Sequence, residues 1–168
     1  YVNSWRITPD GQISMHLAAW GSCHIGFGGT TCVTPPEGVN EYARFHRIPV
    51  QTDAGVLRVG KITMDGSHAG TQGVSLQAAV SHYDNTGTLV AVVRCRDGVL
   101  GPWLSGHLVP WATDQQREQL AYHEVSGDWR SRPGQQLELV AALAVNHPGF
   151  MEFAASAFGE VLVAAGIE

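Results

Sequence analysis

Two nearly continuous apolar runs constrain this chain more than any other feature: "TLVAVVRCR" at Thr88–Arg96 and "LELVAALAV" within Leu137–Asn146. Runs of this length, rich in β-branched residues and bounded by turn residues, are expected to be strands buried in a sheet. The second run holds one acid, Glu138. If both faces of that strand are buried, the carboxylate has to be paired or driven neutral.

The rest of the chain supplies further strands and few helices. "ISMHLAAW" at Ile13–Trp20, "VLRVGKITM" at Val56–Met64, "PWLSGHLVP" at Pro102–Pro110 and Val125–Arg130 fit strands. "DGSHAGTQG" at Asp65–Gly73 is a loop and "DNTG" at Asp84–Gly87 a turn. Val74–Tyr83 is ambiguous, its alanines favouring a helix, and Asn40–His46 suits a short helical turn. Thr113 with Gln116 three residues on forms a capping box, so a helix should open there. Phe150–Glu168 has apolar residues at helical spacing. The sum predicts an α+β or mainly β fold, a small barrel with flanking helices.

Composition narrows the function classes. The 168 residues suit one domain, with a core large enough to need no metal or disulfide. Charged residues make up 15% of the chain and the net charge is −5, with Lys61 the one lysine. No basic run is present, so a nucleic-acid footprint is not expected. No apolar stretch is long enough to span a membrane, and the first residues do not read as a signal peptide. A start at Tyr1 rather than Met suggests a trimmed or processed chain. Three cysteines cannot all pair within one chain, and a reducing compartment with free thiols is the simpler expectation, a Cys23–Cys32 disulfide being the alternative.

The chemistry is sought around "VSGDWR", Val125–Arg130. A serine becomes a nucleophile only when a base takes its proton, and histidine is the usual base. A third polar group then fixes the ring tautomer. Ser126, one of eight histidines and Glu138 could meet that need. The plainer alternative makes Ser126-Gly127 a turn and leaves Glu138 facing water or in an ion pair with Arg130 or Arg132. Trp129 is assigned to the core.

The chain as a whole resembles the capsid maturation (prohead) proteases of tailed phages, specifically those of actinobacterial phages. The matching pieces are "HLAAWGSCHIGFGGTTCVTPP", "VGKITMDGSHAG", "AAVSHYDNTGTLVAVV", "GPWLSGHLVP", "SGDWR" and "LELVAALAVNHPGF". They stand in family order over roughly residues 12–150, leaving 151–168 as a helical tail or scaffold-like extension. Such proteases are similar, distantly, to the herpesvirus assembly protease. The resemblance implies a serine endopeptidase that cleaves scaffold or capsid segments, and itself in some members, within the prohead in the host cytoplasm. The implied partners are the phage scaffold and the major capsid protein, with a homo-oligomer as an option. A cofactor is not implied. The alternative from another class is an assembly or scaffold-binding protein of the same fold without effective catalysis.

Position by position, "SHYDN" implies His82 as the base and "VSGDWR" implies Ser126 as the nucleophile. "LELVAAL" implies Glu138 as third member, with His147 or His68 as alternatives, because the herpesvirus relatives use a second histidine. Without the resemblance, His82 serves equally well as a helix C-terminal residue. Backbone N–H groups near Gly127 and Asp128, or around Arg130, are the expected oxyanion donors. Cys23, His24, Cys32 and His16 offer a zinc-type ligand set at unrecognised spacing, so a metal module is a weaker third hypothesis.

Overall fold

The structure, a computed structural model, describes residues 5–24, 31–70 and 72–150. The expected tail at 151–168 lies outside the described residues. The fold is mixed α+β and mostly sheet, with two helices among the described residues.

The strands are β1 (Arg6–Ile7), β2 (Gln12–His16), β3 (Ile48–Thr52), β4 (Gly55–Met64), β5 (Thr88–Asp97), β6 (Pro102–Leu108), β7 (Glu124–Arg130) and β8 (Glu138–Val145). They form one sheet in the order β1-β2-β6-β5-β4-β8-β7, curled as a half-barrel. Neighbours are antiparallel except β4 and β8, which run parallel through Ile62↔Ala142 and Thr63↔Leu143. β3 lies beside the first half of β4, pairing Ile48 with Val59. β8 pairs with β4 further along, at Ile62 and Thr63.

Both apolar runs are strands as expected. In β8 every residue from Leu139 to Ala144 is buried. Leu139, Ala142 and Ala144 join the main core with Ile62, Val93, Leu104 and Leu120. Val140, Ala141 and Leu143 join a second layer with Ala69, Ala79 and Tyr83. A strand covered on both faces must read as unbroken apolar sequence. Truncating Leu143 would remove about 2–5 kcal/mol by the usual range for a buried leucine.

The cover on the second face is helix α1 (Leu76–Asn85). Ser75 caps it by accepting from the Ala78 N–H. Leu76, Ala79, Val80 and Tyr83 recur at helical spacing and pack on β8's outer face. Helix α2 (Asp114–Ala121) opens with the expected capping box of Thr113 and Gln116. Strand β3 was not expected: Pro49 and the exposed Gln51 mask it, and Pro is tolerated there because β3 pairs on one side only.

The cysteines differ from expectation. Cys23 and Cys32 are joined in a disulfide, their Cα atoms 4.8 Å apart. The backbone brings the loop ends together, with the His24 N–H on the Val33 carbonyl at 2.9 Å. Cys95 is the buried free thiol. With both sulfurs of the proposed ligand set in a disulfide, Cys23 and Cys32 offer no thiolates. No metal-holding cluster of His, Cys, Asp or Glu forms among the described residues.

Candidate active site

Strand β7 carries the serine. Side chains alternate across a strand, so Ser126 and Asp128 leave on the same face. Their cross-strand partners are Leu143 and Ala141, both in the layer beneath α1. Val125 points the other way into the main core. Gly127 sits between them because a Cβ there would meet the Trp129 ring at 2.4 Å and Leu139 at 3.1 Å. The Ser-Gly pair is thus part of a buried strand rather than a turn. Trp129 packs against the core as expected.

The loop after β4 brings a histidine to the serine. Asp65 takes φ 57°, turning the chain out of the strand, and His68 follows. Its Nε2 lies 3.0 Å from the Ser126 hydroxyl oxygen. Ser126 is 5% exposed, whereas His68 keeps an open side toward solvent. Partial burial pulls the His68 pKa below 6.5, and the nearby Asp128 carboxylate opposes that pull. His68 is therefore neutral at neutral pH, as a general base has to be.

Three side chains pin this loop. The Ala69 N–H donates to the Tyr83 hydroxyl at 2.9 Å. Arg130 donates to the carbonyls of Ala69 and Gly70, each at 2.9 Å. His82 Nε2 meets the Ser67 carbonyl at 2.8 Å, and since a carbonyl only accepts, that nitrogen carries a proton.

Behind His68 lies a polar chain. The Tyr83 hydroxyl is 3.4 Å from His68 Nδ1 and donates to Asp128 Oδ2. Arg130 holds Asp128 in a two-pronged pair, Nε on Oδ1 and Nη2 on Oδ2, both at 2.7 Å. Burial, first, and the Asp128 bond push the Tyr83 phenol's pKa up, so it stays protonated.

A short segment after β8 walls the other side. The Gly149 N–H points at the Ser126 oxygen at 3.4 Å. A Cβ at Gly149 would strike the His24 ring at 2.0 Å, so only glycine fits. Phe150 stacks edge-on against both His24 and Trp129, with centroids 5.0 and 5.6 Å apart.

Of the residues expected from sequence, Ser126 stands in a Ser–His contact, but with a different histidine. His82 is turned to Ser67, where it fixes the residue preceding His68. His68, expected only as an alternative third member, is the histidine whose Nε2 meets the Ser126 hydroxyl. Glu138 pairs with Arg44, not with Arg130 or Arg132. It sits opposite Arg130, about 16 Å along β8 from the point opposite Ser126. His147 is exposed and close enough to Glu124 to act on its carboxylate. The Ser126 oxygen also meets the backbone N–H of Gly149.

Sequence reasoning missed Tyr83 and the side chain of Asp128. A signal was present: Ser126, Asp128 and Arg130 recur at every second position, a polar stripe on one face of an otherwise buried strand. Comparisons with family models, curated proteins and solved structures found no match to this chain.

Proposed function

We propose that this chain is a serine endopeptidase in which Ser126 attacks the scissile carbonyl and His68 is the base. The observation that carries the reading is the 3.0 Å contact between His68 Nε2 and the Ser126 hydroxyl oxygen. On this reading Ser126 Oγ forms a bond to the carbonyl carbon while its proton passes to His68 Nε2. The tetrahedral intermediate then expels the amine, which takes that proton from His68. Water enters by the same route in reverse, and Ser126 is restored. On this reading the Gly149 N–H, beside the serine oxygen, is a backbone donor within reach of the developing oxyanion.

The resemblance of the sequence to prohead proteases supplies the substrate class, scaffold or capsid segments. A curled, mostly β architecture with two helices agrees with a herpesvirus-protease-like fold at the coarse level. The burial of Ser126 favours a second reading, an assembly protein that binds scaffold and does not cut it. Co-expression with the scaffold and capsid protein separates the two. Cleavage by the wild type that is lost in a folded Ser126→Ala variant supports the protease. Co-purification without any cleavage overturns it in favour of the assembly protein.

A further inference from the structure

We propose that the group orienting His68 is the Tyr83 hydroxyl, held in turn by Asp128 and Arg130, so that a phenol bridges the histidine and its carboxylate. This deepens the endopeptidase reading and rests on it for its catalytic meaning. It assigns the third position to neither Glu138 nor a second histidine.

The proton inventory leads there. For His68 Nε2 to accept from the Ser126 hydroxyl, the ring proton must sit on Nδ1. The atom that Nδ1 faces is the Tyr83 oxygen, at 3.4 Å. A phenol has one proton to donate and two lone pairs. Tyr83 gives its proton to Asp128 Oδ2 and accepts from the Ala69 N–H, which leaves one lone pair for His68 Nδ1–H. Every position on Tyr83 is then used, and one tautomer of His68 follows.

Arg130 completes the arrangement. Its fork fixes both Asp128 oxygens, and its remaining donors hold Ala69 and Gly70, the two residues after His68. One side chain thus sets the carboxylate and the base relative to each other. The charged and titratable groups acting on His68 are Asp128 and Arg130 from β7, His82 from α1 and His24 from the neighbouring loop. Asp128 alone among them favours the imidazolium. When His68 takes the serine proton, the phenol passes on the stabilisation of that carboxylate without leaving its own proton behind. Tyr83 and Asp128 are positioning residues: neither touches substrate.

Ring-nitrogen NMR of His68 tests this directly, alongside fluorophosphonate labelling of Ser126 against pH. Wild-type His68 should carry its proton on Nδ1 at about pH 8. Tyr83→Phe should shift the ring toward the Nε2–H form and slow labelling by at least ~10-fold. Asp128→Asn keeps the phenol and should lower the His68 pKa, and with it the acid midpoint of labelling, by about one unit. A packing role alone would lower the melting temperature and leave tautomer and midpoint in place. Unchanged tautomer and midpoint in the folded variants overturn the proposal, and Asp128→Asn decides it if Tyr83→Phe does not fold. Labelling that survives both substitutions unshifted removes the bridge and keeps the endopeptidase. A wild type that never labels, yet shows an Nδ1–H tautomer dependent on Tyr83, removes the endopeptidase and keeps the bridge.

Discussion

Among the described residues two tyrosine–aspartate pairs each have a histidine beside them, and one of those histidines faces a serine hydroxyl. In the first, the Tyr42 hydroxyl donates to Asp97, which also accepts from the Gly38 N–H. The neighbouring His46 is 3% exposed, and its Nε2 accepts from the Cys95 N–H at 2.9 Å. In the second, Tyr83 donates to Asp128, and His68 turns Nε2 to the Ser126 hydroxyl with one side open. A Tyr–Asp pair next to a histidine is therefore no signature of chemistry. What decides is the atom that the histidine's free nitrogen meets. A backbone N–H consumes the lone pair in structure, whereas a hydroxyl leaves a proton to be taken.

The two histidines should separate cleanly on substitution. His68→Ala is expected to slow fluorophosphonate labelling of Ser126 by ~1000-fold or more, as loss of a catalytic base does. His46→Leu should leave that rate within about twofold and instead destabilise the fold by about 1–3 kcal/mol, because the Cys95 amide loses its acceptor. Denaturant midpoints and labelling rates on the same two variants check both halves.

Acid should reach the two sites differently. Burial, reinforced by Arg94, holds the His46 pKa down at about 4. A histidine whose folded pKa lies below its unfolded value stabilises the fold above pH 6.5 and loses that contribution as pH falls toward 4. The loss here is on the order of 3 kcal/mol across that window. At His68 the same acidification protonates the imidazole, so if it is the base as proposed, labelling should be flat near neutrality and fall below pH 6.5. Urea unfolding and labelling over one pH series test the pair of expectations.

The smallest effect belongs to Glu138. Its partner Arg44 is partly exposed, and the pair lies far from Ser126 along β8. Glu138→Gln should lower stability by about 1 kcal/mol and leave labelling within about twofold. A large fall in labelling at unchanged stability would return Glu138 to the catalytic group.

The sequence made the frame legible where burial is two-sided or a cap is local. The runs at 88–96 and 137–145 are the strands that their apolar sequence suggests, and Thr113 with Gln116 marks a helix start by itself. The serine of the Ser–His contact stands in a stretch that the sequence also singled out. The histidine that meets Ser126 was not legible, because His68 reaches it through the turn at Asp65, and no local pattern encodes where such a loop returns. His82 stands on a regular helix and is the more conspicuous histidine, yet its nitrogen serves the Ser67 carbonyl. Glu138 looked catalytic because an acid in an apolar strand demands a partner. That partner, Arg44, comes from a segment nearly a hundred residues earlier in the chain.

The central claim is that His68, not His82, activates Ser126. The most direct test is to treat the wild type, His68→Ala and His82→Ala with a fluorophosphonate and map the adduct by peptide sequencing. The account predicts an adduct on Ser126 in the wild type, its loss in His68→Ala, and its retention at a modestly reduced rate in His82→Ala. An adduct that persists in His68→Ala and vanishes in a folded His82→Ala would contradict it.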